Sequence, residues 1–297
     1  MKIIENLIQC SNEWLEFRKS HVGASESAAI LGVSPYKTPL DVFNEKTNRS
    51  FLEPMNDAMR LGTEMEPKIR KEWERLTGKI FDTPTAEHDD YPYISASFDG
   101  YCHEDNSIIE CKFSRHPKLA NCIKKHDIEY FKEIYKHYWV QCQHLMFVSE
   151  AKECTLITIC PEGELLDLAL PRDNDFIEKK MVPSLVTFIH EYILKDEEPA
   201  LTDGDYLYID DTESISLAKE WHELNQRIKM LQDLEKEKKA ALIQKGDDGN
   251  IIVGNILKMT RYATTRTNYK KACEDNDIDL SIYKTLSIGH YRLTPIT

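Results

Sequence analysis

Apolar residues recur along this chain in two periods, and the switches between them divide it. Ser11 can cap a first short helix carrying Trp14, Leu15 and Arg18. After Gly23-Ala24, Ser25 can cap a second, in which Ala28, Ala29, Ile30 and Leu31 precede Gly32. Pro35 and Pro39 mark a loop, and residues 40–47 a further helix. Residues 56–76 keep a helical period that Gly78 closes. Period two then takes over at 79–82, 93–98, around Tyr101, and at 107–113. A long helix is predicted over 127–148, strands at 155–160 and 165–170, and a helix from 173 to 194. Strands grouped centrally with helices on both sides predict a mixed α/β fold.

The tail differs. Residues 196–211 are acidic and turn-rich, which suits a linker. Over 212–245, Leu217, Trp221, Leu224, Ile228, Leu231 and Leu234 recur at three- and four-residue steps, predicting one long helix. A turn at Asp248-Gly249-Asn250, a strand over 251–260, a helix at 269–273 and a strand at 290–293 suggest a small appended α+β module.

Charge and cysteine usage narrow the classes. The 297 residues suffice for a sizeable core, and no apolar run is long enough to span a membrane. The start MKIIENLIQCSNEW does not pattern as a signal peptide, so an intracellular protein is expected. A net charge of −13 weighs against a nucleic-acid partner. The average hides local patches: residues 251–273 hold no acid but include Lys258, Arg261, Arg266, Lys270 and Lys271. Lys112, Arg115, Lys118, Lys124 and Lys125 form a second, mixed cluster; either can be a phosphate surface or merely a solvated face. The eight cysteines show no C-x-x-C spacing, which disfavours zinc and iron–sulfur sites, and reduced thiols are expected.

The sharpest chemistry lies in Ser97-Phe98-Asp99-Gly100 and Ile108-Ile109-Glu110-Cys111-Lys112. Glu110 and Lys112 share one face of a strand, leaving Ile109, Cys111 and Phe113 for burial on the other. With Asp99 closing on the same spot, two carboxylates and an ammonium can hold a divalent metal and activate a water against a phosphodiester. Asp-Gly is equally a hairpin turn signal. Glu66 aligns with Ile69 and Trp73 on the apolar side of its helix, while Thr63-x-x-Glu66 also fits a capping box with Pro67 in a first turn. Gln141 falls on the stripe Ile134, Tyr138, Leu145, either as a satisfied structural amide or as one that orients a lysine or a water. Ser25 at a helix start and Arg18 can form an anion site, or be a plain cap and a surface arginine.

In order, Trp14…Arg18…Gly23-Ala-Ser25, Gly62-x-x-x-Glu66, Ser97-x-Asp99-Gly100, Glu110-x-Lys112 and Tyr138-x-x-Gln141 resemble the lambda-exonuclease family, the YqaJ-like viral recombinases of the PD-(D/E)xK nuclease superfamily. The resemblance covers about residues 10–195 and departs from the pattern in having Phe98 where a proline usually precedes the aspartate. It implies a restriction-endonuclease-like core, a central mixed sheet flanked by helices, over 1–200, with a C-terminal extension over 201–297. It also implies two Mg²⁺ ions, replaceable by Mn²⁺, with Asp99, Glu110 and the Cys111 carbonyl as ligands and Glu66 completing the acidic site. Lys112 would position the attacking water, Gln141 would orient Lys112 or that water, and Arg18, Ser25 and Ser97 would grip a 5′ phosphate.

The implied activity is 5′→3′ digestion of linear double-stranded DNA to leave 3′ overhangs for phage-type recombination, in a bacterial cytoplasm. A single-strand-annealing partner and a ring-shaped trimer are implied possibilities. The alternatives are an endonuclease on the same fold and a non-catalytic DNA-end-binding or partner-recruiting scaffold.

Overall fold

A computed structural model describes residues 1–49, 57–160, 163–206, 209–245, 250–254 and 256–260. The chain divides into two compact units, Met1–Tyr206 and Leu207–Thr297.

In the first unit, α1 (Asn12–Lys19) is capped by Ser11, whose hydroxyl accepts from the Trp14 N–H. α2 (Ala24–Ile30) corrects an expectation: its cap is Gly23, and Ser25 lies inside the first turn. Glu26 takes over the capping by accepting from the Gly23 N–H at 2.8 Å. α3 (Pro39–Lys46) starts at a Thr38–Asp41 capping box. α4 (Asp57–Thr77) contains Thr63, Glu66 and Pro67 in its interior, so the capping-box reading of Glu66 falls away. Gly78, at φ 71°, closes that helix as expected.

β1 (Lys2–Ile3), β2 (Thr85–Glu87) and β3 (Ser95–Ser97) form a small antiparallel sheet. β4 (Gly100–Cys102), β5 (Ser107–Phe113), β6 (Glu153–Ile159) and β7 (Leu165–Pro171) form the central sheet in that order. It is mixed: β5 and β6 run parallel and the other neighbours antiparallel. The strand expected at 79–82 is reduced to one bridge, Asp82 to Tyr101. The chain leaves the small sheet at Ser97 and enters the central one at Gly100, so Phe98 and Asp99 sit at the junction. Asp99-Gly100 is therefore not a hairpin turn. Gly100 pairs with Ile109, and a Cβ there would lie 2.5 Å from the Ile109 side chain.

The two faces of the central sheet carry separate cores. Ile109, Cys111 and Ile157 pack with Ile69 of α4, flanked by Met65, Trp73 and Phe113. Ile108, Leu156 and Leu168 face the larger core built on α2 and α7 (Lys136–Ser149). The helix expected over 127–148 is two helices, α6 (Ile128–Ile134) and α7, because Tyr135 leaves helical geometry at φ −120°, ψ 44°. α5 (Lys118–Ile123) had no counterpart in the sequence reading. A helical run follows β7: α8 (Asn174–Phe176), α9 (Val182–Thr187), and π-helical turns at Ile177–Met181 and Phe188–Ile193. The expected architecture, a central mixed sheet flanked by helices, is present.

The second unit contains α10 (Thr212–Lys245), as its period predicts, and a hairpin of β8 (Ile251–Val253) and β9 (Leu257–Met259). The turn at Asp248-Gly249, Arg261, Arg266, Lys270, Lys271, and the elements expected at 269–273 and 290–293 lie outside the described residues. Among the described residues, no helix is long and apolar enough to cross a membrane.

Candidate active site

β5 is the spine of the site. Its alternation sends Glu110 and Lys112 to the α7 side, where Glu110 is 1% exposed. The Lys112 ammonium lies 2.5 Å from Glu110 Oε1. Gln141 of α7 donates from Nε2 to the same oxygen at 2.6 Å. Gln141 thus reaches Glu110 rather than Lys112, and the two donors leave Glu110 Oε2 as the atom available to a cation. The aromatic ring of Tyr138, one turn earlier on α7, lies 5.3 Å from the Lys112 ammonium. The stripe that suggested Gln141 was imperfect, since Ile134 sits before the helix break and is exposed. The fully buried amide of α7 is Gln143, which holds the Pro171 carbonyl and the Asp173 N–H.

Asp99 reaches the same place from the sheet junction. Its Oδ2 accepts from the Cys111 N–H at 2.9 Å. Within a strand, the N–H and C=O of one residue share an edge, so the Cys111 carbonyl points to the Asp99 side. Arg70 of α4 donates to the Asp99 carbonyl at 2.8 Å. Glu66, one turn before Arg70, is half-buried while Glu64 is exposed, in line with its place on the apolar side of the helix. Arg70 was missed in the sequence, although its i+4 spacing from Glu66 was a usable signal.

These carboxylates perturb one another. Burial, then the charge of Asp99, push Glu110 up to about 8 and Glu66 up to about 7, against the pull of Lys112. Burial raises Asp99 as well, opposed by Lys112, the Cys111 N–H and Arg70. Burial alone would lower Lys112, but Glu110 and Asp99 overcome it and hold the ammonium charged. Three acids that resist ionising together, beside one charged lysine, leave this region short of positive charge. That chemistry fits a hard divalent cation held by few protein ligands and its own waters.

A second cluster lies on α1 and α2. Arg18 donates to Ser25 Oγ at 3.4 Å and to Glu26 at 2.9 Å, and its guanidinium lies 4.7 Å from the centre of the Trp14 ring. The Trp14 indole N–H donates to Ser97 Oγ at 2.8 Å, which ties the second predicted hydroxyl to this group. Glu26 and its partner Lys46 were not read from the sequence as part of it. Ser97 is two residues from Asp99, so β3 links the two clusters.

Residues 13–152 match the family model of the YqaJ-like viral recombinase domain, the family that the ordered motifs resemble. The uncharacterized protein YqaJ of Bacillus subtilis (strain 168) is 26% identical over 204 residues, 67% of this chain and 61% of that protein. Protein D345L of African swine fever virus is 33% identical over 100 residues, 32% of this chain and 29% of its own length. The chain thus spans less than two thirds of these relatives. Among solved structures, the alkaline exonuclease LHK-Exo of Laribacter hongkongensis superposes with a TM-score of 0.52 at 20% identity, covering 62% of this chain and 94% of that one. Its complex with dAMP gives 0.53 at 21%. These two structures share the fold.

Proposed function

We propose that the chain is a metal-dependent deoxyribonuclease that digests linear double-stranded DNA 5′→3′, leaving 3′ overhangs for phage-type recombination. The observation that carries this reading is Glu110 held between Lys112 and Gln141 with Asp99 alongside, and a separate cluster of Arg18 and Ser25 on α1 and α2 that Trp14 ties to Ser97, two residues before Asp99. The match to a viral recombinase domain and the fold shared with an alkaline exonuclease support it.

Asp99, Glu110 Oε2 and the Cys111 carbonyl would hold Mg²⁺, with Glu66 acting directly or through waters, and a second ion would belong to the same proposal. Bound there, the metal would supply a Lewis acid for the scissile phosphate and lower the pKa of a water. Lys112 holds a charged ammonium where the attacking water and the developing phosphorane charge would lie. Gln141 and Lys112 both hold Glu110 through Oε1. Arg18, Ser25 and Ser97 would receive the terminal 5′ phosphate and set the cleavage register. A single-strand-annealing protein and assembly into a ring trimer belong to the same proposal.

The test is digestion of end-labelled linear and closed circular duplex in Mg²⁺, with 5′-phosphate and 5′-hydroxyl ends. Loss of linear DNA from the 5′ end, faster with a phosphate, is expected, with circles intact. Cutting of closed circles would select an endonuclease. Retention of DNA without turnover in Mg²⁺ or Mn²⁺ would select a binding scaffold. A Lys112→Ala protein that digests at the normal rate would overturn the site.

A further inference from the structure

Arg18 poses an electrostatic problem for a phosphate pocket. Its Nη2 is committed to Glu26 Oε1 at 2.9 Å. A guanidinium matched one-to-one with a carboxylate has little net charge left to offer a second anion. Something must cancel Glu26 from the other side.

Lys46 is placed to do so. It ends α3, and its side chain is only 4% exposed. An ammonium has three donors, and here three sets of acceptors meet it. These are the Arg18 carbonyl at 2.5 Å, the His21 carbonyl at 2.6 Å and the Glu26 carboxylate, with Oε1 at 2.8 Å and Oε2 at 2.7 Å. Glu26 also accepts the Gly23 N–H. Lys46 therefore holds both the backbone of Arg18 and the acid that binds its side chain. Arg18, Lys46 and Glu26 together carry one net positive charge. It resides on Arg18, the most exposed of the three, whose Nη1 and Nε have no hydrogen-bond acceptor among the described residues. The guanidinium carbon lies 4.7 Å from the centre of the Trp14 ring, a cation–π contact that helps hold the side chain in place.

We propose that Lys46 is a positioning residue of this pocket: by neutralising Glu26 and pinning the Arg18 backbone, it leaves the guanidinium of Arg18 charged and aimed for a terminal phosphate monoester. The inference rests on the reading of Arg18 and Ser25 as a 5′-phosphate grip. A purely structural buried ion pair would affect melting and all substrates alike. A positioning role separates substrates by their 5′ end.

The experiment measures kcat and KM on duplexes with a 5′ phosphate and a 5′ hydroxyl, together with melting temperature. The proteins are wild type, Arg18→Ala, Lys46→Met, Glu26→Gln and the double variant Lys46→Met/Glu26→Gln. Lys46→Met should lower the phosphate-over-hydroxyl ratio of kcat/KM at least tenfold, mainly through KM, with a much smaller fall on 5′-hydroxyl ends. The double variant, which removes both buried charges, should recover most of the ratio. A folded Lys46→Met with the wild-type ratio, while Arg18→Ala loses it, overturns the proposal alone. A wild type that ignores the 5′ end overturns the pocket reading and this proposal with it. If Lys46→Met does not fold, Glu26→Gln decides: it keeps an acceptor for Gly23 and should retain at least the wild-type ratio. A collapse to the Arg18→Ala level would mean that Arg18 depends on the Glu26 charge itself and not on its neutralisation, and would overturn the proposal.

Discussion

The Cys111 N–H donates to Asp99 Oδ2 at 2.9 Å, tying the acid at the junction of two sheets to the middle of β5. This bond fixes the carboxylate's orientation independently of its charge. The two contributions separate by mutation. Asp99→Asn keeps an acceptor for Cys111 but lacks the charge, so it should fold normally and lose about 10²–10³-fold or more in kcat, the scale of one preorganised electrostatic group. Asp99→Ala also strands the buried N–H, which costs about 1–3 kcal/mol of stability. Digestion rates and thermal melts on both proteins check this; equal stability of the two would contradict the role assigned to the bond.

Gln141 donates to Glu110 Oε1, and a loss that acts through that carboxylate should be intermediate. Gln141→Leu frees Glu110 to rotate toward Lys112 and weakens its grip on a cation. A 10–100-fold loss is expected, on the scale of outer-shell partners of metal ligands. A titration of activity against Mg²⁺ should show a higher metal requirement, partly overcome by excess metal. A variant with lower kcat at every Mg²⁺ concentration and an unchanged midpoint would place Gln141 elsewhere in the reaction.

The raised acids predict an unusual stability profile without metal. Glu66 and Glu110 titrate at about 7 and about 8 in the fold, against about 4.3 for an unperturbed glutamate. Between those values the folded chain binds more protons than the unfolded one, so stability is greatest below the unfolded pKa and falls as pH rises toward 8. The melting temperature in chelator should therefore drop from pH 5 to pH 8 through these groups. Mg²⁺ should restore it most at the alkaline end. Glu110→Gln, while inactive, should melt higher than wild type in chelator at pH 8. A wild-type-minus-variant difference that does not change with pH would remove the electrostatic account.

Much of this was legible because β5 is long enough to show its period. Seven residues, Ser107–Phe113, suffice to place Glu110 and Lys112 on one face and Cys111 on the other. The 34 residues of α10 likewise show theirs. β1, β2 and β3 span two or three residues each, too few for a period; β2 was missed and β3 read as longer than it is. Periodicity reports which side of an element is apolar, not what meets it. Glu66 was assigned inward correctly, but Arg70 beside it was not seen. Glu26 and Lys46 are twenty residues apart, and only the packing of α1, α2 and α3 brings them together. The helix break at Tyr135 carries no proline or glycine to announce it.

Gly100 is held by space rather than by backbone angle. A Cβ there would meet Ile109 Cγ1 at 2.5 Å, Ile109 Cδ1 at 2.6 Å and Phe81 Cβ at 3.0 Å. Ile109 is buried against α4, so the strands must part or its side chain must leave its rotamer. Gly100→Ala should cost about 1–3 kcal/mol, the range for overpacking. Because Asp99 is its neighbour, activity should fall as well. Gly100→Ala/Ile109→Val, which removes Ile109 Cδ1 and leaves Cγ1 in place, should recover a small part of both losses in denaturant melts and digestion assays. No recovery would mean that Ile109 Cγ1, the Phe81 contact or the backbone itself sets the requirement.

His144 predicts a second pH effect of opposite sign. It is fully buried between α2 and the small sheet, with Nε2 2.8 Å from the Ser95 carbonyl and Nδ1 2.5 Å from Ser27 Oγ. A carbonyl only accepts, so Nε2 carries the proton; in the neutral ring Nδ1 then accepts from the Ser27 hydroxyl. Burial holds the imidazole down at about 4, despite the Ser95 carbonyl. The unfolded chain, titrating near 6.5, therefore binds more protons between about 4 and 6.5. The resulting stability is complete above that window and is lost as pH falls through it. Wild type should lose more stability from pH 7 to pH 5 than His144→Gln, which offers an amide to the same partners and no titrating group. Denaturant melts of both proteins at the two pH values give the comparison, and because the acids of the active site are common to both, their contribution cancels. Identical pH slopes would show that His144 binds protons equally well in the folded and unfolded chain and would remove the burial account.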